Sequence, residues 1–292
     1  MSFFGRRRAS GSGGRNVLLT GIPRSGTTLA CHLLNKLEDV VALHEPMDVS
    51  RFFGVTEPAA IHEIVDRWCA RTRTSVLEHG TAPSKQLDGK VPDNPVGAAA
   101  GASGARKEIV SRGEVRIERP MTAEFTLVVK HPAMFTALIE ALAPRYPLVA
   151  IVRNPLSVLA SWNSVELHVR SGRVPATEKF APELAADLER MTDTTSRQIH
   201  LMNWYFDRYA RLMEPANVLR YEDMIASRGK ALAVAVPAAA SLDEPLSSRN
   251  KNELYSKDAM RDLGARLLAD DGAWRRYYAP ADVETLLASL NA

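Results

Sequence analysis

The apolar positions of this chain switch between a strand-like and a helix-like period. Residues 16–20 (N-V-L-L-T) form a short apolar run that ends in the turn Gly21-Ile22-Pro23. From Thr27 onward, Leu29, Leu33, Leu34 and Leu37 recur at helical spacing. The pattern predicts a strand, a Gly-bounded loop and a helix, the opening of a P-loop α/β unit. Residues 40–43 predict a second buried strand running into His44-Glu45-Pro46. Residues 125–129 and 148–152 read as further strands, ending at Lys130-His131-Pro132 and at Arg153. Asn154 then suits a helix cap and Pro155 the first helical position. Leu184, Leu188, Met191, Thr195, Ile199 and Met202 begin a three-and-four spacing that predicts one long helix reaching Met213. Its aromatic stripe, Tyr205, Phe206 and Tyr209, suits core packing better than an acceptor cleft. A short strand at 218–221 precedes Glu222-Asp223. Strands alternating with helices predict a P-loop type three-layer α/β fold with a central, mostly parallel sheet.

Composition modifies this picture in two places. Residues 80–106 hold five Gly and three Pro, so they are expected to form a flexible insertion within one domain spanning 16–292. The chain of 292 residues carries a formal charge of +3, yet Arg6, Arg7, Arg8 and Arg15 all lie in a Gly/Ser-rich tail, residues 1–15. Without those four, the remaining 277 residues carry −1. The body is therefore close to neutral, which argues against a nucleic-acid partner; the tail is expected to be disordered. That tail has no apolar stretch after its arginines and does not read as a secretory signal. No segment approaches the ~20 apolar residues of a membrane span; the longest, 231–240, is interrupted by Pro237. The only cysteines, Cys31 and Cys69, have no metal-ligand or redox spacing. A reducing, cytoplasmic location and no bound metal are the expectations. Oligomeric state has no sequence signature here.

The stretch richest in chemistry is Gly21-Ile-Pro-Arg-Ser-Gly-Thr-Thr28. Gly21 and Gly26 have the separation of a Walker A loop, and Thr28 stands in its Ser/Thr place. Such a loop turns backbone N–H groups inward toward an anion at a helix N-terminus. The lysine expected after the second glycine is Thr27, however, and the cation is Arg24. The clearest buried strand ends in Arg153, where a metal-nucleotide enzyme would carry an acid. Arginine and lysine at strand ends point to a ligand whose anionic charge is neutralised by protein. A guanidinium at 153 suits a phosphate because it donates two parallel bonds.

On these residues the sequence resembles the sulfotransferases that use 3′-phosphoadenosine 5′-phosphosulfate (PAPS). Residues 21–29 match the family's 5′-phosphosulfate loop, Arg153-Asn-Pro-Leu-Ser-Val-Leu-Ala-Ser161 its 3′-phosphate element, and Arg220-Tyr-Glu-Asp-Met224 a later Tyr-Glu-Asp segment. The branch acting on carbohydrates and tyrosylproteins is the more similar one, since the cytosolic aryl and steroid enzymes usually carry lysine where Arg24 stands. The resemblance implies PAPS as donor, a carbohydrate or other small-molecule hydroxyl as acceptor, and nucleotide contacts from Arg24, Ser25, Gly26, Thr27, Thr28, Arg153, Ser161 and Tyr221. Arg24 and Lys130 would stabilise the sulfuryl and leaving groups. Glu45 and His131 compete as the base, with Glu45 preferred because His-Glu-Pro-Met matches a Glu-bearing segment of that branch. Residues 47–119 are the expected acceptor-selecting region, and Arg249, Lys251 and Arg275 have no assigned role. Two other readings remain open at this point. One is a P-loop nucleoside kinase or NTPase with an atypical loop; the other is a nucleotide-binding module without catalysis.

Overall fold

The structure, a computed structural model, describes residues 14–100, 104–251 and 255–290; of the side chains at 99 and 100 nothing is said. The tail expectation falls almost entirely outside these residues, as does the Gly-Ala-Ser part of the 80–106 stretch. The chain opens with β1 (Asn16–Gly21), α1 (Thr27–Leu34) and β2 (Val40–His44), as the apolar pattern predicts. A 22-residue helix α2 (Pro58–His79) leads to β3 (Thr81–Gln86), β4 (Val96–Ala100), β5 (Arg106–Glu108) and β6 (Ser111–Arg116). The sheet resumes with β7 (Thr126–Lys130), followed by α3 (Pro132–Ala137) and α4 (Ile139–Leu142). Next come β8 (Leu148–Val152), α5 (Pro155–Asn163), α6 (Pro175–Glu178), α7 (Pro182–Arg190) and α8 (Thr194–Leu212). The last strand, β9 (Val218–Arg220), runs into α9 (Tyr221–Ala226), and α10 (Lys257–Ala269) and α11 (Pro280–Ala288) end the described chain.

Five strands make one sheet in the order β2-β7-β1-β8-β9, and every pairing is parallel. Leu18 sits opposite Val129 on one side and Leu148 on the other. Val17, Leu18, Leu19, Leu127, Val128, Val129, Ala150, Ile151 and Val152 are fully buried. Strands this apolar on both faces must be covered on both, which is why the sequence shows continuous runs rather than alternation. The fold is thus the P-loop type three-layer α/β arrangement. Among the described residues no helix is long and apolar enough to cross a membrane.

Two local expectations differ from the structure. The single helix expected from 184 to 213 is two: α7 ends at Arg190, and Asp193 caps α8 by accepting a hydrogen bond from the Ser196 N–H at 2.7 Å. The apolar spacing continues across the break because both helices turn the same face to the core, so periodicity alone missed it. Tyr221 is the first residue of α9, not a strand residue. In the stretch 80–106, expected as a flexible insertion, β3 pairs antiparallel with β6 and β4 with β5. Pairing partners outside the stretch supply order that local composition cannot reveal. The aromatic stripe of α8 is core: the Tyr205 and Tyr209 hydroxyls bond Thr177 and Thr136 at 2.7 Å.

The α5 terminus behaves as its sequence dictates. The Asn154 side chain accepts from the Leu156 N–H at 3.1 Å and donates to the Asp282 carbonyl at 3.1 Å. Asn154→Ala should therefore lower unfolding stability by about 1 kcal/mol. Denaturant melts of the two proteins measure this, and equal midpoints would show that the cap contributes nothing.

Candidate active site

In a parallel sheet all C-terminal strand ends share one edge, and ligands bind there. Here β1 ends in the Gly21–Gly26 loop, β2 in Glu45, β7 in Lys130, β8 in Arg153 and β9 in Tyr221. These groups line one cavity of about 620 Å³. Gly26, with φ +95°, stands at the start of α1, and no side chain caps the helix. A Cβ at Gly26 would lie 2.7 Å from the Tyr221 ring, so glycine is required on two counts. Gly26, Thr27, Thr28 and Leu29 line the cavity at the start of α1, and no acid lies in its first turn. An uncapped helix N-terminus of this kind favours an anion.

Arg24 also has positive φ, +74°. Its Nε donates to Ser161 Oγ at 3.3 Å and its other end to Asn94 Oδ1 at 3.2 Å. Burial, then the charges of Arg106, Arg153 and Arg249, push its pKa down to about 10, with Tyr255 opposing them. Arg153 is buried and held on three sides. Its Nε donates to Asn250 Oδ1 at 2.8 Å, and its terminal nitrogens to the carbonyls of Arg24 and Arg249 at 3.1 and 2.5 Å. The guanidinium lies 4.7 Å over the Tyr221 ring, and the Tyr221 hydroxyl accepts the Arg249 N–H at 3.0 Å. Five N–H donors less three used leaves two for an incoming phosphate.

Glu45, at φ +46°, is fixed by its N–H to the Lys130 carbonyl at 2.8 Å. Its Oε1 lies 3.1 Å from Lys130 Nζ and 3.5 Å from His44 Nε2, and its Oε2 3.0 Å from Lys85 Nζ. Burial favours the neutral acid, but Lys130, His44 and Lys85 together outweigh it and hold the carboxyl well below its usual range. Burial in turn lowers the Lys130 pKa, against the pull of Glu45. His44 is pushed down to about 4, by burial first and then by Lys130. His131 is pushed to about 3, chiefly by burial. The His131 Nε2 accepts the Met47 N–H at 3.0 Å, so that lone pair is already engaged.

Of the residues expected from the sequence, Arg24, Gly26, Thr27, Thr28, Glu45, Lys130, Arg153 and Tyr221 line the cavity. Ser25 and Ser161 are fully buried beside it. The Ser25 hydroxyl donates to the Ile151 carbonyl at 2.7 Å, pinning the loop to β8, and Ser161 orients Arg24. No motif marks Lys85, Asn94 or Arg106, whose cavity positions depend on the β3 to β5 region. Arg106 donates to Ser164 Oγ at 2.8 Å, just beyond α5. Arg249 lines the cavity, paired with Asp93 at 3.1 Å, whereas Arg275 is bonded to the Asp270 and Leu268 carbonyls outside it. Glu222, part of the Tyr-Glu-Asp segment but given no role from the sequence, joins three segments. It accepts from the Asn154 N–H at 3.0 Å, Asn250 Nδ2 at 2.9 Å and the Tyr278 hydroxyl at 2.7 Å. Both cysteines are free and buried. Among the described residues, no group of three or more His, Cys, Asp or Glu is placed to hold a metal.

A cavity ringed by cations, with one carboxylate at a strand end, suits transfer of an anionic group. No curated protein sequence gives a significant match. Among the solved structures that are similar at low identity are two from mycobacteria. One is the sulfotransferase STF1 from Mycobacterium tuberculosis H37Rv, with 12% identity over 88% of this chain and 77% of that one, and a TM-score of 0.36. The other is the sulfotransferase STF9 from Mycobacterium avium, with 14% identity over 95% and 76%, and a TM-score of 0.34. A family model described as the sulfotransferase family matches residues 16–233, from β1 through the phosphate loop and α9. With that match covering all five sheet strands and the groups at their ends, the chain belongs to the sulfotransferase family and is a sulfotransferase.

Proposed function

We propose that the donor is PAPS and that its sulfuryl group passes to a hydroxyl oxygen, with Glu45 as the base. The observation that carries this reading is Glu45 itself, an ionised carboxylate held 3.1 Å from a buried lysine at the mouth of a phosphate-loop cavity. The fit to the donor's two anionic ends rests on two features of the site. The uncapped α1 N-terminus with Arg24 suits the 5′-phosphosulfate; the two spare N–H donors of Arg153 suit the 3′-phosphate, with Tyr221 beneath the guanidinium. Ser161 acts through Arg24, and Ser25 through the loop. The chain from 16 onward is read as one domain acting in the cytoplasm, with the stretch around 80–106 as an insertion.

Glu45 faces an apparent difficulty, because a carboxylate stabilised by two lysines is a weak base. The remedy lies in the shared partner. When Lys130 turns its ammonium toward a sulfuryl oxygen, Glu45 loses its strongest stabilising charge and its proton affinity rises. In the transfer the acceptor oxygen forms the new S–O bond. The bond from sulfur to the phosphate oxygen breaks with its electron pair on phosphate, and the acceptor proton goes to Glu45. Arg24 and Lys130 offset the charge that develops on the leaving and transferring oxygens.

The test is labelled-sulfate transfer from PAPS, with thermal stabilisation by the desulfated nucleotide PAP compared with Mg-ATP. Stabilisation should be larger with PAP; the reverse would support the nucleotide-kinase alternative, and PAP binding without turnover the non-catalytic one. Run across pH, kcat/KM should hold at neutral pH. Its acid limb should fall below the ordinary carboxylate value of 4.5, because a group with a lowered pKa loses its charge only at lower pH. The basic limb should fall below 10.5, as Lys130 gives up its proton. An acid limb near neutrality would instead indicate an imidazole base.

A further inference from the structure

We propose that the acceptor is a small alcohol or phenol with an apolar body, received against a hydrocarbon wall beside Glu45; this rests on the transfer reading above. The wall is formed by Pro132, Ala133, Leu167, Val169, Val174 and Ala176, all lining the cavity. Its place follows from the fold. Pro132 and Ala133 begin α3, two residues after Lys130, so they stand next to the reacting end. The 174–177 segment is packed onto them, with Thr177 Oγ1 donating to the Ala133 carbonyl at 3.5 Å and bonded to Tyr205 at 2.7 Å. The groups assigned above to the donor's phosphates come from other elements, the start of α1 and the end of β8.

Several charged and polar side chains nearby are paired with one another. Arg24 holds Asn94, Arg249 holds Asp93, and Lys85 bridges Glu45 and Glu108. Arg173, the cation nearest the wall in sequence, donates from Nε at 2.9 Å to Glu178 and from a terminal nitrogen at 2.7 Å to Glu189. The His168 side chain is exposed at the rim. Laid along this wall, the several hydroxyls of a sugar would meet Pro132, Ala133, Leu167, Val169, Val174 and Ala176, whose side chains carry no hydrogen-bonding group, and each would lose its water bonds without replacement. An acceptor with one hydroxyl and an apolar body loses nothing but its contact with water. The cavity, about 620 Å³, must take the nucleotide as well, so the body held there is small. On this reading 132–133 and 167–176 take part in acceptor selection together with the cavity-lining part of 47–119.

The experiment uses the full chain with labelled PAPS, a series of 4-alkylphenols from methyl to butyl, and glucose and maltose as sugars. Each added methylene should raise kcat/KM about fourfold until the wall is filled, and the sugars should give no product. Efficient transfer to sugar, or a flat phenol series, overturns the inference while leaving sulfuryl transfer standing. Binding gives a readout apart from turnover: with PAP present, 4-butylphenol should raise the melting temperature further, and maltose should not. Ala176→Asp should flatten the phenol series without altering PAP binding; an unchanged slope would overturn the wall's location. If PAP neither binds nor stabilises, the transfer reading itself fails, and this inference with it.

Discussion

Glu45→Gln should lower kcat by about 10²–10⁴-fold while leaving PAP affinity nearly unchanged, the range general-base removal produces. On the free-energy scale that is roughly 3–5 kcal/mol of lost transition-state stabilisation. Gln keeps the size of the side chain and can still accept from Lys130, but it cannot take the acceptor proton. The variant has a second effect that must be separated from the first. Lys130 is almost fully buried and Glu45 is the charge that raises its pKa. Without Glu45, Lys130 shifts toward the neutral amine, which also weakens stabilisation of the sulfuryl oxygens. Glu45→Asp separates the two, since it keeps the charge and retracts the carboxylate by one methylene. Partial activity in Asp with none in Gln assigns the loss to the proton; equal, full activity in both variants would remove Glu45 as the base. Melting temperatures of both proteins check that the fold persists.

Arg153→Ala should weaken PAP binding by about 10²-fold or more, with a smaller loss for Arg153→Lys. The magnitude follows from two charge-assisted hydrogen bonds of roughly 1.5–3 kcal/mol each. The neighbours that Arg153 holds lose their support as well. Those neighbours explain why lysine falls short. Arg153 stacks over Tyr221 and ties the Arg24 carbonyl to the 249–250 segment, which one ammonium cannot reproduce. Calorimetric titration with PAP measures both variants, and an unaltered dissociation constant for Ala would take Arg153 out of the nucleotide site.

The legible parts of this protein share a short range. The strand at 16–21, the loop, the helix from Thr27 and the Asn154-Pro155 cap are each specified by residues within a few positions of one another. The break between α7 and α8 was also locally encoded, in Asp193, but the uninterrupted apolar spacing concealed it. Site residues at the ends of parallel strands were legible for a related reason. Once the sheet is parallel, the residue after each strand must fall on the same edge, so Glu45, Lys130 and Arg153 meet wherever the helices lead.

By itself, then, the sequence determined the parallel sheet, the phosphate loop and the convergence of cations on one edge, because local periodicity and turn chemistry suffice for these. Only the tertiary structure decided which hydroxyls face the cavity. Ser25 turns to the Ile151 carbonyl, Ser161 to Arg24, and the His131 Nε2 to the Met47 amide. It also brought Lys85, Asn94 and Arg106 over the site and set an apolar wall beside Glu45. Those placements depend on pairings and packing between segments far apart in the chain, and side-chain direction at a given position follows from the partners it meets there.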